Sequence, residues 1–299
     1  MWASKVFVSA IFTAGIAAGA GPVGVVAQDS PPPLPSDVPV LLVGSDHLDG
    51  SRLHPYEDVR LAMGRAGKAG PLGLGETIDA RAITVQSLRR EQRDGDEVWV
   101  RSFSIQSPAD GQEFASGEIV LDLTTLTPIS SHVSNQGNTT DSEYDWNAYV
   151  VRQGSPDLER DEWTSESLDL RSVEAAAHET WLAALPLELG YRVMIPAILA
   201  GGGGKWWTVP HVVGSEEVDI GDGVSRSAWV VEIDWWGMGA GHSSYTPGGG
   251  INGSGGTGGK YWVLKEAVPG LPLVVRIRTE MDADNDSVIQ LQAETGEGP

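Results

Sequence analysis

The chain has 299 residues, 40% of them apolar, so it can bury a sizeable core and wholesale disorder is excluded. Lys and Arg total 20 against 41 Asp and Glu, and the formal charge of -21 repels phosphate backbones and anionic lipid headgroups, which argues against nucleic-acid binding. No cysteine is present, which removes disulfides, thiolate metal sites and cysteine nucleophiles together.

Residues 1–27 read as a secretory signal. Lys5 precedes an apolar Ala/Gly-rich run, acids are absent until Asp29, and Val25, Val26 and Ala27 place small residues at a cleavage site after Ala27. No stable membrane span is expected after cleavage, and no Cys follows the cut to carry a lipid. The expected location is periplasmic or extracellular. Residues 28–75 read as a Pro/Gly-rich N-terminal extension, with a short helix expected from Tyr56 to Ala66.

From Glu76 the pattern becomes β-rich, and one domain is expected over residues 76–295. Thr84 to Arg90 and Glu97 to Ser107 flank Asp94 and Gly95, a hairpin signal. Further strands are expected at Gly117 to Leu123, Ile129 to Ser134, Asp145 to Arg152 and Arg160 to Leu168. One helix is expected from Ser172, as its cap, to Leu185, stopped by Pro186. Strands resume at Tyr191 to Ile195, Trp206 to Val213, Glu216 to Ile220, Ser227 to Trp236, Lys260 to Glu266, Leu273 to Glu280 and Ser287 to Ala293. Trp229, Val231, Ile233 and Trp235 share one face of their strand. Residues 237–259 form a Gly-rich loop. The expected fold is mainly β with some helix: a curved antiparallel sheet or half-open barrel with one helix packed in its concave side.

Leu121 to Ile129, Leu185 to Tyr191, Trp229 to Asp234, Tyr261 to Glu266 and Leu271 to Arg276 together resemble an uncharacterised family of exported bacterial β-rich domains. That family is similar in shape to the lipoprotein-localisation factors LolA and LolB, whose half-open barrels hold acyl chains under a helix. The resemblance implies a cavity for an apolar ligand and supplies no catalytic residues.

Chemical motifs fail on inspection. His178 and Glu179 begin like a zincin helix, but Leu182 stands where the second His belongs, so both read as solvated helix residues. The Gly-x-Gly-x-x-Gly matches in the Gly-rich tract lack the preceding strand and following helix that pyrophosphate binding needs. Asp282, Asp284 and Asp286 are the nearest approach to a metal site. Ser287 and Ala293 occupy the Gly and Glu positions of a calcium loop, and a turn is the simpler reading. No cofactor is expected. The tryptophans say more. Trp206 with Trp207 and Trp235 with Trp236 are adjacent pairs whose members point to opposite faces of a strand. Trp99, Trp181, Trp206, Trp207, Trp229, Trp235 and Trp236 are the candidate cavity or rim residues. The leading expectation is an exported, non-enzymatic protein carrying an apolar, lipid-like ligand or meeting an envelope component. A carbohydrate-binding or purely structural envelope module is the alternative, and a hydrolase without a recognisable motif the second alternative.

Overall fold

The structure is a computed structural model describing residues 34–44, 48–65, 79–145, 148–154, 163–167, 170–199, 204–220, 224–238, 245–246, 259–279 and 287–291. Residues 1–27, expected to be a signal, most of the Gly-rich segment 237–259 and Asp282 to Asp286 lie outside these. In chain order the strands are β1 (Tyr56–Arg65), β2 (Asp79–Arg93), β3 (Asp96–Gln106), β4 (Glu113–Asp122), β5 (Pro128–Asn135), β6 (Asn138–Tyr144), β7 (Ala148–Gly154) and β8 (Trp163–Ser167). After them come β9 (Val173–Glu174), the helix α1 (His178–Ala183), β10 (Ile195–Leu199), β11 (Gly204–Asp219) and β12 (Ser225–Met238). The last four are β13 (Tyr245–Thr246), β14 (Gly259–Leu264), β15 (Val274–Thr279) and β16 (Ser287–Leu291).

The strands form one 16-stranded sheet, running β8 back through β1, then β16, β15, β14, β12, β11, β10 and β9, with β13 attached to β12. Neighbours are antiparallel except for the short β9–β10 pair, which is parallel. Tight turns set the meander. Asp94 and Gly95 at the β2–β3 turn both have positive φ, 53° and 95°, the geometry that matches the twist of paired strands. Gln136 and Gly137 repeat it between β5 and β6, at 50° and 85°.

The sheet curls until its two ends overlap. Ile195 and Ala197 of β10 turn into the lumen, so Ile198 and its neighbour across the ladder, Glu174, turn the other way. There Ile198 packs on Tyr149 and Val151 of β7. The Tyr144 hydroxyl of β6 donates to Glu174, and the Lys205 ammonium of β11 donates to the Ser167 carbonyl of β8. The outer side of the β9–β11 end is therefore tucked beneath the inner side of β6–β8. Among the described residues side chains close this overlap and no main-chain ladder crosses it.

The lumen is filled by the chain itself. The segment carrying α1 enters the concave side and packs Trp181, Leu182 and Leu185 against Trp99, Ile119, Val231, Ile233 and Trp235 of the wall. The N-terminal stretch contributes too: Leu41, Val43, Leu48 and Leu53 are buried in the same core. Outside the wall, Val38 covers Met194, Val209 and Trp236, held by bonds from Leu41 N to Met194 O and from Met194 N to Pro39 O of 2.8 and 2.9 Å.

Several expectations are corrected. Tyr56 to Ala66 is not helical: Tyr56–Arg65 is β1, between β2 and β16. A bulge over Glu57 and Asp58, with Asp58 at φ 53°, interrupts the alternation that Val59, Leu61 and Met63 then resume. The helix expected over Ser172 to Leu185 is confined to His178–Ala183. Val173 and Glu174 are extended because they pair with Ala197 and Ile198, and Ala175–Ala177 form a 3-10 turn capped by Glu174 rather than Ser172. β6 has no counterpart among the expected strands. The segments expected at Trp206 to Val213 and Glu216 to Ile220 are one strand, bulged between Val212 and Gly214. Among the described residues no helix is long and apolar enough to cross a membrane.

Candidate functional site

A polar cluster sits where α1 meets the wall. Leu88, Arg101 and Ile119 lie in register across β2, β3 and β4, so Arg101 projects into an apolar lumen. Its side chain is 4% exposed, and that of Glu179 from α1 is 11% exposed. The two are ion-paired through Arg101 Nη2 and Glu179 Oε2. Arg101 Nη1 donates to the Ala176 carbonyl at 3.3 Å, and Gln86 Nε2 donates to Glu179 Oε1 at 3.4 Å. The guanidinium also lies 5.2 Å from the centre of the Phe103 ring. Beside them His178 packs edge-on against Tyr261, with ring centres 5.4 Å apart, and its Nδ1 lies 3.2 Å from the Ala175 carbonyl. A bond to a carbonyl needs a ring N–H, so that contact assigns the proton to Nδ1.

Each group has a defined protonation tendency. Burial pushes the Glu179 carboxyl up, but the Arg101 charge, His178 and the two side-chain hydrogen bonds outweigh it and hold the group below its ordinary value. Burial holds His178 below its ordinary value, against the pull of Glu179. Burial raises both the Tyr56 and the Tyr261 phenols, so both stay protonated. The cluster thus holds an ionised carboxylate already matched by a guanidinium, a neutral imidazole and two neutral phenols. Such a set anchors a segment and holds an anion. It presents no activated nucleophile.

A cavity of about 20 Å³ opens beside Glu179, lined by Leu53, His54, Tyr56, Leu88, Thr180 and Leu273 among others. That is room for one water. The standing cavity expected for an acyl chain is therefore not present at this position.

The family model described as "Protein of unknown function (DUF3108)" matches residues 77–288. The chain belongs to the DUF3108 family. Its match takes in β2 through β15, α1 and the first two residues of β16, and leaves β1 outside. Among solved structures, one titled "Crystal Structure of Beta-barrel-like Protein of Domain of Unknown Function DUF1849 from Brucella abortus" is similar to this DUF3108 chain. Identity is 11%, the match covers 80% of this chain and 98% of that one, and the TM-score is 0.45. No curated protein matches the chain.

Of the seven tryptophans singled out from the sequence, five share the lumen core and two lie on the outer side of the wall. Trp99, Trp181 and Trp235 are wholly buried in the lumen, and Trp206 and Trp229 are half-buried against it. Trp229 carries the Lys265 ammonium 3.9 Å above its ring. Trp207 and Trp236 face outward as expected of the alternate members of each pair, and pack in the cluster with Val38 and Met194. They form no exposed flat aromatic face. Asp282, Asp284 and Asp286 lie outside the described residues, and among the described ones no group of three His, Asp or Glu could hold a metal.

His178 and Glu179, read as solvated, are corrected: they face the lumen, because α1 enters the barrel instead of lying on it. Arg101, Gln86, Tyr56 and Tyr261 were missed. For Arg101 a signal existed. Trp99, Arg101, Phe103 and Ile105 alternate on one face of β3, and an arginine among large apolar residues demands a buried partner.

Proposed function

We propose that this protein is an exported, non-enzymatic module of the cell envelope with a structural role, its lumen closed at rest. The observation that carries the reading is the filled interior: residues of α1 occupy the space an apolar guest would need. A carrier resembling LolA or LolB needs standing room for an acyl chain, and the opening beside Glu179 holds one water. Export rests on the leader pattern of residues 1–27.

Cell fractionation followed by lipid and glycan extraction of the native protein tests this. Expected are recovery from the exported compartment, a mature N-terminus at Gln28, and no extracted molecule near one per chain. A cytoplasmic, uncut protein overturns export. A stoichiometric lipid or sugar overturns the structural role.

The apolar-carrier alternative keeps one observation in its favour. The overlap of the sheet ends is closed by side chains, and β9 joins α1 to the wall through two paired residues, Val173 and Glu174. In that reading the α1 segment leaves the lumen as a guest enters.

A further inference from the structure

We infer that Arg101 is the anion-holding group of a latent ligand site in the lumen, occupied at rest by the chain's own Glu179, and that the site fits a long-chain monocarboxylate. This goes beyond the structural role and rests on the carrier alternative.

A guanidinium meets a carboxylate best through two parallel bonds. Glu179 uses one prong of the edge formed by Nε and Nη2. Its Oε2 takes the Nη2 proton, while its Oε1 is turned to Gln86. Arg101 Nε is buried and has no partner among the described residues. The resident carboxylate is tethered to α1 and fills half the fork. A free carboxylate carries no such tether and can take Nε and Nη2 together.

The walls specify the body of the ligand behind its carboxylate. Leu88 and Ile119 flank Arg101, and Trp99, Val231 and Trp235 belong to the same core. An alkyl chain suits that lining. The chain's own segment has the same order of parts: the Glu179 charge, then Trp181, Leu182 and Leu185. The cavity beside Glu179, walled by Leu53, Leu88, Leu271 and Val274, supplies an apolar approach.

The test titrates the full mature chain with cis-parinarate, a fluorescent long-chain monocarboxylate. It compares wild type, Glu179→Gln and the double variant Arg101→Met/Glu179→Met. Glu179→Gln removes the competing charge and keeps the volume. The double variant removes both charges, a change that buried pairs often tolerate. Expected is at least about a tenfold gain in affinity for Glu179→Gln over wild type, absent from the double variant. Palmitate should compete for the site and hexadecanol should not. The site is overturned if Glu179→Gln gains nothing, if the double variant binds as tightly, or if hexadecanol competes equally. Should Glu179→Gln fail to fold, palmitate must raise the Tm of wild type and leave the double variant unmoved; no shift, or equal shifts, overturns the site. Failure to bind leaves the closed structural module standing, whereas stoichiometric lipid on the native protein removes that module and not this site.

Discussion

Arg101 and Glu179 are each costly to bury alone and tolerable together. Removing one leaves the other's charge in an apolar lumen, so Arg101→Met should destabilise the fold by about 3–5 kcal/mol. The double variant Arg101→Met/Glu179→Met should lie close to wild type. Urea denaturation of the three proteins checks both; equal losses for single and double variants would refute the pairing argument. The same cluster fixes a pH dependence. The folded His178 imidazole is held below its ordinary 6.5, so as pH falls the unfolded chain takes up that proton first. Its contribution is complete above the ordinary value and declines as pH drops from there toward the folded value. Glu179 is held below its ordinary 4.5, so its contribution is present above 4.5 and is lost as pH falls through the folded value. Urea midpoints should therefore fall in two stages on acidification, and His178→Gln should flatten the first. Gly50 is a further sensitive point. A methyl group there would stand 2.1 Å from the Leu123 carbonyl oxygen, and the Gly50 carbonyl accepts the buried Trp99 indole N–H at 3.2 Å. Gly50→Ala should cost about 1–3 kcal/mol by thermal or urea melting, through overpacking at this docking point.

Among the elements, the overlap of β6–β8 with β9–β10 is the weakest join, because side chains carry it. Tyr144→Phe removes the hydroxyl that bonds both Glu174 and Ser131, and should cost about 1–3 kcal/mol. Hydrogen exchange should then quicken in β8 and β9 while β3 and β4 stay protected; uniform exchange would show that the overlap is not a separable join. Strands were readable where alternation and turn chemistry agreed, as in β2, β3 and β12. They were hidden where one of these failed. β1 hides its alternation behind the Asp58 bulge and is built from Leu, Ala, Met and Arg, all good helix formers. β6, with sequence NTTDSEY, is almost wholly polar, and its one cue is the Gln136 and Gly137 turn before it. The shortened helix reflects a non-local demand. Val173 and Glu174 are drawn into strand geometry by β10, twenty-odd residues onward, and local pattern cannot see that pairing.

For the whole molecule, the sequence carried the mainly β class, the curl of the sheet and the helix on its concave side. It did not carry the state of the lumen, because that depends on whether the helix face covers the sheet's mouth or enters it. Trp181 is equally large on either account; only the wall residues it meets decide the matter. The outcome is a barrel-like sheet whose core is its own inserted segment. The most direct measurement is native-state hydrogen exchange across residues 180–185 in the unliganded chain. If the segment is the core, its amides exchange only with global unfolding, at the level of β3, β4 and β12. Exchange of Trp181 to Leu185 at markedly lower opening energy than those strands would contradict a lumen filled at rest.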